Sequence, residues 1–231
     1  MPRVVTIDGP AGAGKSTVAR RLALRLGWRF LDTGAMYRAV TLAAIRSGVD
    51  LKSDQALAEL AAGLAVSLLP ERVLLDREDV TRAIRGSEVT RCSRFVADSP
   101  GVRRRLVGWQ RTLAAEGDTV TEGRDQGTIV FPGAFRKFFL TANEEERAWR
   151  RLADLRARGE ECDFEAVLAD QRTRDQRDAA RAIAPMKPAE DAEIVDTTGK
   201  SIDEVVEELA ERITSAIESP GCCAGTMEST R

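Results

Sequence analysis

The stretch that decides the fold is Gly9-Pro10-Ala11-Gly12-Ala13-Gly14-Lys15-Ser16, with Thr17 directly after it. It matches the P-loop pattern G-x-x-x-x-G-K-[ST] at every fixed position. A β-branched run at 4–7 predicts a buried strand before it, and apolar residues at helical spacing predict a helix over 15–26. Strand, glycine-rich loop and helix follow in the order that a P-loop requires, so we prefer this interpretation to an ordinary strand-to-helix turn.

Each residue type in this loop suits a nucleoside triphosphate. The glycines allow a wrapped backbone whose N–H groups point inward, and the helix N-terminus adds positive potential. The ammonium of Lys15 can reach the β- and γ-phosphates, and the hydroxyl of Ser16 can ligate Mg²⁺, with Thr17 as a second candidate. We therefore predict that residues 9–17 bind the triphosphate, that Ser16 is the metal ligand and that Lys15 is catalytic.

The composition excludes several other classes of protein. A net charge of −2 argues against dedicated binding to nucleic acid or membranes, whose affinity normally rests on a basic excess. The chain has no histidine, which excludes Ser/His triads, histidine acid–base catalysis and most zinc and haem sites. Its four cysteines lack the spacing of metal ligands or of a disulfide framework, and no stretch has the apolar length of a signal peptide or membrane span. We therefore expect a cytoplasmic protein without nucleic-acid or membrane partners.

The rest of the chain continues an α/β pattern. A predicted strand at 29–31 and a helix at 36–46 complete the order strand–loop–helix–strand–helix, which is typical of a parallel sheet covered by helices. Further along we predict, in order, a hairpin at 65–69 and 73–75, helices at 79–97 and 101–116, strands at 119–122 and 137–140, helices at 144–158 and 164–182, a strand at 193–195 and a helix at 201–217. Residues 219–231 lack periodicity and are predicted to be disordered.

The P-loop does not say what the triphosphate is used for, and one observation narrows the choice of protein class. A GTPase would need a guanine-reading Asn-Lys-x-Asp motif, but the only asparagine is Asn143, which Glu144 follows. A small phosphotransferase remains, and its second substrate should also be anionic. Thirty of the 35 basic residues are arginine, whose guanidinium fork suits phosphate, so the placement of the arginines matters most.

Arginines cluster at three places. Arg38 follows the second predicted strand and Arg124-Asp125 follows the strand at 119–122, at the sheet edge where open α/β proteins bind ligands. There we favour a functional role over surface ion pairs. The third cluster lies on the predicted helix 164–182 and comprises Arg172, Arg174, Asp175, Arg177, Asp178 and Arg181. It is either a solvated charged face or a lid that closes over the phosphates and excludes water, and beside a P-loop we favour the lid.

At these residues the chain resembles the bacterial-type cytidylate kinases. The resemblance runs from residue 4 to about 217 and rests on the P-loop and three further motifs: Leu31-Asp32-Thr33-Gly34-Ala35-Met36-Tyr37-Arg38, then Glu122-Gly123-Arg124-Asp125-x-Gly127-Thr128-Ile129-Val130-Phe131-Pro132, then Arg181-x-Ile183-Ala184-Pro185. It implies a nucleoside monophosphate kinase fold with a parallel core sheet flanked by helices. The core would comprise 1–32, 116–150 and 183–218, with a monophosphate-binding insertion at 33–115 and a helical lid at 151–182.

The resemblance also implies an activity and a set of acceptor-site residues. The γ-phosphate of ATP would be transferred to CMP or dCMP by a monomer, with Mg²⁺. Arginines at 38 and 124 would bind the acceptor phosphate with Thr33 and Tyr37 nearby, Arg103 and Asp125 would read cytosine, Arg174 and Asp178 would hold the sugar, and Arg181 and Arg177 would be the lid cations. With Lys15, the arginines at 124, 177 and 181 would be the catalytic residues. Independently, a carboxylate suits the N4 amino group of cytosine and a guanidinium suits its O2 and N3 acceptors, whereas the uracil O4 would repel Asp125.

Three positions depart from the family pattern. Arg94 stands where a serine base contact is usual, with Ser93 one place away, so either Ser93 takes the role or base selectivity is lower. Gln126 replaces an apolar residue and Gly133 replaces an aspartate. The alternatives to a cytidylate kinase are a P-loop kinase acting on UMP, AMP or shikimate, and a non-catalytic nucleotide-binding switch.

Overall fold

Residues 1–69, 71–157 and 159–219 are described by a computed structural model, and within them the chain forms eight strands and eight α-helices. The strands are β1 (Val4–Asp8), β2 (Arg29–Asp32), β3 (Val66–Leu68), β4 (Val73–Leu75), β5 (Glu78–Asp79), β6 (Thr119–Glu122), β7 (Arg136–Thr141) and β8 (Glu193–Asp196). The helices are α1 (Lys15–Leu26), α2 (Thr33–Arg46), α3 (Asp54–Gly63), α4 (Ser87–Asp98), α5 (Pro100–Ala114), α6 (Glu144–Arg156), α7 (Phe164–Ala179) and α8 (Ile202–Glu218). The predicted disordered tail lies, from residue 220 onward, outside the described residues.

Five strands form the central sheet in the order β2-β6-β1-β7-β8, and every pair is parallel. Ile7 of β1 and Asp32 of β2 both lie opposite Glu122 of β6. Because these three strands run in the same direction and in register, the loops that follow them meet at one edge of the sheet, where α/β proteins bind ligands.

The largest apolar core joins the sheet to α1 and α8. Leu22 of α1 and Leu209 and Ile213 of α8 are fully buried with Ile7 and Phe138 of the sheet. Burial of each such side chain stabilises the fold by about 1.5–3 kcal/mol. Ser201 begins α8 with a capping box, because its hydroxyl accepts from the Glu204 N–H while the Glu204 carboxylate accepts from the Ser201 N–H. This core fixes the helix that follows the P-loop.

Two further groups of elements flank the sheet. Between β2 and β6 the chain forms α2 to α5 and a small antiparallel sheet in the order β3-β4-β5, which packs on α2. Between β7 and β8 it forms the pair α6 and α7, which pack through Ala148, Leu152, Val167 and Leu168. None of the helices within the described ranges is both long and apolar enough to span a membrane.

The predicted α/β class is confirmed, with a parallel sheet flanked by helices, and the bounds of α1 and β6 agree with prediction. The predicted helix at 79–97 is divided, because Gly86 is extended and separates a 3-10 turn (Ala83–Arg85) from α4. The hairpin gains a third strand, α3 was not predicted, and α7 ends at Ala179 rather than at 182. A π-helical turn, Gln126–Val130, follows β6 and was also not predicted.

Candidate active site

The P-loop has the backbone that only glycine allows. Gly9, Gly12 and Gly14 have φ values of 141°, 79° and 82°, in the left-handed half of the map. A Cβ on Gly9 would overlap the carbonyl oxygen of Leu140, and one on Gly12 would lie 2.8 Å from the carbonyl oxygen of Arg147. Gly14 is the residue that caps α1, so the N–H groups of the first turn of that helix open onto the loop. The loop is therefore shaped to receive phosphate.

Three cations crowd beside this loop. Lys15 is buried and its ammonium donates to the carbonyl of Pro10 at 2.6 Å. Burial, followed by the charge of Arg124, holds the pKa of Lys15 well below its usual range. The same two causes lower the pKa of Arg174 to about 10. Cations this close repel one another, and a bound polyanion offsets that repulsion. The site therefore favours a phosphorylated ligand.

A hydroxyl and a carboxylate meet at the start of α1. Ser16 donates to the Oε1 atom of Glu122 at 3.1 Å, and Glu122 is buried at the end of β6. Thr17, the second candidate hydroxyl, is exposed beside it. No three acidic or cysteine side chains converge into a metal-binding group in the described part of the chain. Mg²⁺ bound to a nucleotide takes most of its ligands from phosphates and waters and needs only one or two protein groups. One hydroxyl and one carboxylate therefore suit it.

The two residues predicted to read the acceptor base are brought together. Arg103 of α5 and Asp125 of the loop after β6 form a buried ion pair. Tyr37 of α2 lies beside them, with its ring centre 5.9 Å from the guanidinium carbon of Arg103. Burial raises the pKa of Tyr37 to about 12, so its hydroxyl stays protonated at neutral pH.

Arg38 and Thr33 lie in α2, which follows β2 at the same edge of the sheet. The Nε atom of Arg38 is buried and has no hydrogen-bond partner among the described residues, and the Nη2 atom of the same side chain lies 3.5 Å from Oδ1 of Asp32. Asp32 already accepts from the Ala35 N–H at 2.8 Å as the cap of α2. Thr33 donates to the carbonyl of Glu122 at 2.7 Å, which ties α2 to β6. A buried guanidinium donor without a partner is costly and indicates an anion site.

Asp178 joins α7 to this edge of the sheet. Its carboxylate is buried and accepts from Arg124 at 3.1 Å and from Arg181 at 2.8 Å. Arg181 also reaches Asp98, at the end of α4, at 3.0 Å. A chain of ion pairs therefore links the loop after β6, the segment after α7 and the end of α4.

Two predicted residues lie apart from this cluster. Arg177 is exposed and forms no ion pair within residues 1–69, 71–157 and 159–219. Ser93 donates to the carbonyl of Thr90 at 2.8 Å within its own helix. Arg94, which stands at the position expected for serine, is exposed and lies over the Phe95 ring at 4.6 Å. The contacts found for these positions do not include the Arg103–Asp125 pair.

Three residues of the site were missed by sequence reasoning: Asp8, Glu122 and Arg147. Glu122 was quoted only as part of a motif, yet it accepts from Ser16. Arg147 of α6 donates to the P-loop carbonyl of Ala11 at 3.0 Å and pairs with Asp175 of α7. The signal for the two acids was their place at the last residue of a strand, beside Gly9 and Gly123 respectively.

The comparisons with known proteins agree with this geometry. The family model described as "Cytidylate kinase" matches residues 5–215. A cytidylate kinase of Rhodopirellula baltica is 43% identical over 228 residues, covering 99% of this chain and 100% of the relative. One of Rhodococcus opacus is 50% identical over 211 residues, covering 89% and 92%.

A solved structure supports the fold alone. An uncharacterized protein from Eubacterium ventriosum superposes with a TM-score of 0.52 at 12% identity, covering 92% of this chain and 99% of its own. The family, in contrast, is shown by the extent of the sequence match and by the identity to the curated relatives. This chain belongs to the cytidylate kinase family.

Proposed function

We propose that this protein transfers the γ-phosphate of ATP to CMP or dCMP, which yields ADP and CDP or dCDP. The observation that carries the proposal is the buried Arg103–Asp125 pair, which shares one sheet edge with the P-loop. The P-loop accounts for a triphosphate, and a second site that reads a base would account for a buried ion pair at the same edge of the sheet. The names of the curated relatives agree with this substrate class.

The acceptor site is proposed to recognise cytosine by hydrogen bonding. The Asp125 carboxylate would accept from the N4 amino group, and Arg103 would donate to O2 and N3. Uracil presents a carbonyl oxygen in place of the amino group, so its O4 would face a carboxylate and leave buried groups unpaired. Arg174 and Asp178 are proposed to hold the sugar, with Tyr37 packing beside the base.

The acceptor phosphate is proposed to lie among three arginines: 38, 124 and 181. The unpaired Nε of Arg38 supports this placement, as do the two carboxylate-bound guanidiniums. Asp178 holds both Arg124 and Arg181, so a phosphate would take over donors that a carboxylate already occupies. We further propose the division into a core, an insertion at 33–115 and a lid at 151–182.

The donor is proposed to be ATP with Mg²⁺. Ser16 and Glu122 are the residues that would hold the ion, which would offset phosphate charge during transfer. Lys15 would bind the β- and γ-phosphates, and Arg124 and Arg181 would stabilise charge on the transferred group in a direct in-line step. The monomeric state, the cytoplasmic location and the absence of a nucleic-acid partner stay predictions. The catalytic role predicted for Arg177 has no supporting contact among the described residues, so we do not include Arg177 in this step.

An acceptor screen tests the proposal. Purified protein, ATP and Mg²⁺ are combined with CMP, dCMP, UMP, AMP or shikimate, and ADP release is measured by a coupled assay. We expect turnover with CMP or dCMP that exceeds turnover with UMP by at least about tenfold. Equal turnover with UMP would contradict the cytidine assignment, and ADP release that no acceptor increases would favour the nucleotide-binding switch.

A further inference from the structure

We infer that Asp8 is a positioning residue that fixes the acceptor-binding loop, residues 123–127, against the P-loop. The inference rests on the proposed function. Asp8 lies at the end of β1, and the next residue, Gly9, begins the P-loop. Its role would be exerted through the backbone of the neighbouring loop rather than through either nucleotide.

Asp8 contacts the backbone of this loop through both of its carboxylate oxygens. The Oδ1 atom of Asp8 accepts from the backbone N–H of Gln126 at 2.9 Å, and the Oδ2 atom accepts from the N–H of Gly127 at 2.8 Å. Two bonds from one carboxylate to successive N–H groups fix both the position and the direction of the backbone. That backbone comes directly after Arg124 and Asp125, the residues proposed to bind the phosphate and the base.

The loop needs such support because its own hydrogen bonds are irregular. Asp125 has φ −143° and ψ 21°, and the π-helical turn begins at Gln126. The first N–H groups of any helical turn have no partner within that turn. Asp8 satisfies two of them from the neighbouring strand. A Cβ at Gly127 would lie 3.0 Å from the Thr6 hydroxyl and 3.4 Å from the Asp8 carboxylate, so the loop approaches β1 closely.

Burying the charged carboxylate of Asp8 costs free energy. Asp8 is 5% exposed, and burial raises its pKa to about 6, with the like charge of Asp125 adding to the rise. Lys15 opposes this rise, and the Lys137 ammonium on the adjacent strand is engaged with Pro132 and Asp191. Charge-assisted bonds to two N–H groups are the compensation that the structure shows. If the loop were held by packing alone, an apolar residue would serve better.

A positioning role of Asp8 and a merely structural role would change different kinetic constants. A structural role lowers the fraction of folded enzyme, which reduces the apparent kcat for every acceptor without changing any KM. A positioning role shifts Arg124 and Asp125, which raises the KM for CMP and lowers the preference for CMP over UMP. The KM for ATP should change little, because Lys15 and Ser16 belong to the P-loop itself.

The test uses Asp8→Asn, which keeps the size but presents an amide N–H to a backbone N–H. We expect the KM for CMP to rise about tenfold, the CMP/UMP ratio of kcat/KM to fall, and the KM for ATP to stay within about twofold. Thr6→Val is the matched control, because the Thr6 hydroxyl is buried against the same loop without a hydrogen-bond partner in the described chain. It should keep all three values.

Gly127→Ala provides a second variant if Asp8→Asn does not fold. It pushes the loop away from β1, and we expect a rise of about threefold in the KM for CMP. Unchanged KM and CMP/UMP ratio in a folded Asp8 or Gly127 variant would overturn the inference, as would a uniform loss of kcat. Wild-type protein that does not phosphorylate CMP or dCMP would instead refute the proposed function, so the two failures are distinguishable.

Discussion

At the scale of single residues, the site depends on polar groups that are buried and almost completely paired. The Arg103–Asp125 pair, the Asp8 carboxylate and the Gln126 amide all lie within the loop after β6 or against it. Groups of this kind cost free energy when a partner is lost, because the remaining group cannot reach water. Single substitutions here should therefore have large and distinct effects.

Asp125→Asn should relax base selectivity. The amide keeps the shape of the carboxylate but can donate to the O4 of uracil, and it leaves Arg103 without a countercharge. We expect kcat/KM for CMP to fall by about tenfold or more, while the CMP/UMP ratio decreases. Steady-state kinetics with both acceptors measure this. Asp118→Asn is the control, since Asp118 pairs with Arg3 far from the site, and an unchanged CMP/UMP ratio in Asp125→Asn would contradict the assignment.

Gln126→Leu should destabilise the fold. Gln126 is buried, accepts from Thr121 at 2.9 Å and donates to Gln110 at 3.2 Å. Leucine matches the apolar residue expected here but leaves both partners buried and unpaired. We expect the free energy of unfolding to fall by about 1–3 kcal/mol in denaturant titrations. Gln55→Leu, on the exposed side of α3, is the control and should change it by less than about 0.5 kcal/mol; a neutral Gln126→Leu would show that the two partners find other hydrogen bonds.

At the scale of elements, α7 and the segment after it bring charge to a site built by the sheet. Asp178 on α7 is buried against Arg124, and Arg181 lies just beyond the end of the helix. Arg147 connects α6 to the P-loop and Asp178 connects α7 to Arg124, so both helices of the pair contact this edge of the sheet. The contrast between Arg181 and the exposed Arg177 gives this arrangement a test.

Arg181→Ala should lower kcat much more than Arg177→Ala. Arg181 is held in the site by Asp178 and Asp98, whereas Arg177 faces solvent. Loss of a cation that stabilises the transferred phosphoryl group costs on the order of 10²–10³ in kcat, and we expect Arg177→Ala to stay within about threefold. Pre-steady-state measurement of ADP formation checks both. A comparable loss of kcat in the two variants would contradict this prediction and would mean that α7 moves Arg177 into the site.

At the scale of the whole molecule, a near-neutral chain contains a local concentration of positive charge. The net charge is −2, yet burial and then the charge of Arg124 lower the pKa of both Lys15 and Arg174. Acidic side chains lie close to these cations. One of them, Asp8, is buried, so its titration should change the free energy of unfolding.

The pH dependence of the free energy of unfolding should show the titration of Asp8. Its folded pKa of about 6 exceeds the ordinary value of 3.8, so the folded state binds the proton more tightly and Asp8 destabilises the fold increasingly as pH rises through this range. Between pH 4 and pH 7 the wild type should lose up to about 2–3 kcal/mol of unfolding free energy relative to Asp8→Asn. Parallel denaturant titrations at several pH values measure the difference, and a constant difference would contradict the raised pKa.

The sequence by itself determined the elements and the kind of chemistry. Helix α1, strand β6 and the P-loop could be predicted because local spacing and glycine positions encode them. The residues predicted to bind the acceptor followed from a family resemblance, and in the structure two of them, Arg103 and Asp125, form an ion pair. Local signals were weaker where a glycine interrupts a helical pattern, as at Gly86, or where a helix is short, as in α3.

Only the tertiary structure decided how the two binding loops are joined. Asp8 contacts Gln126, 118 positions away, and Ser16 contacts Glu122, 106 positions away. No local pattern encodes such pairs, because strand order in a parallel sheet sets them and neighbouring strands are separated by long crossovers. The placement of Arg177 in solvent and Asp178 in the site was also undecided, since adjacent helical residues differ by about 100° and packing selects the buried face. The sequence therefore specified which groups are available, and the order of the strands specified which of them meet.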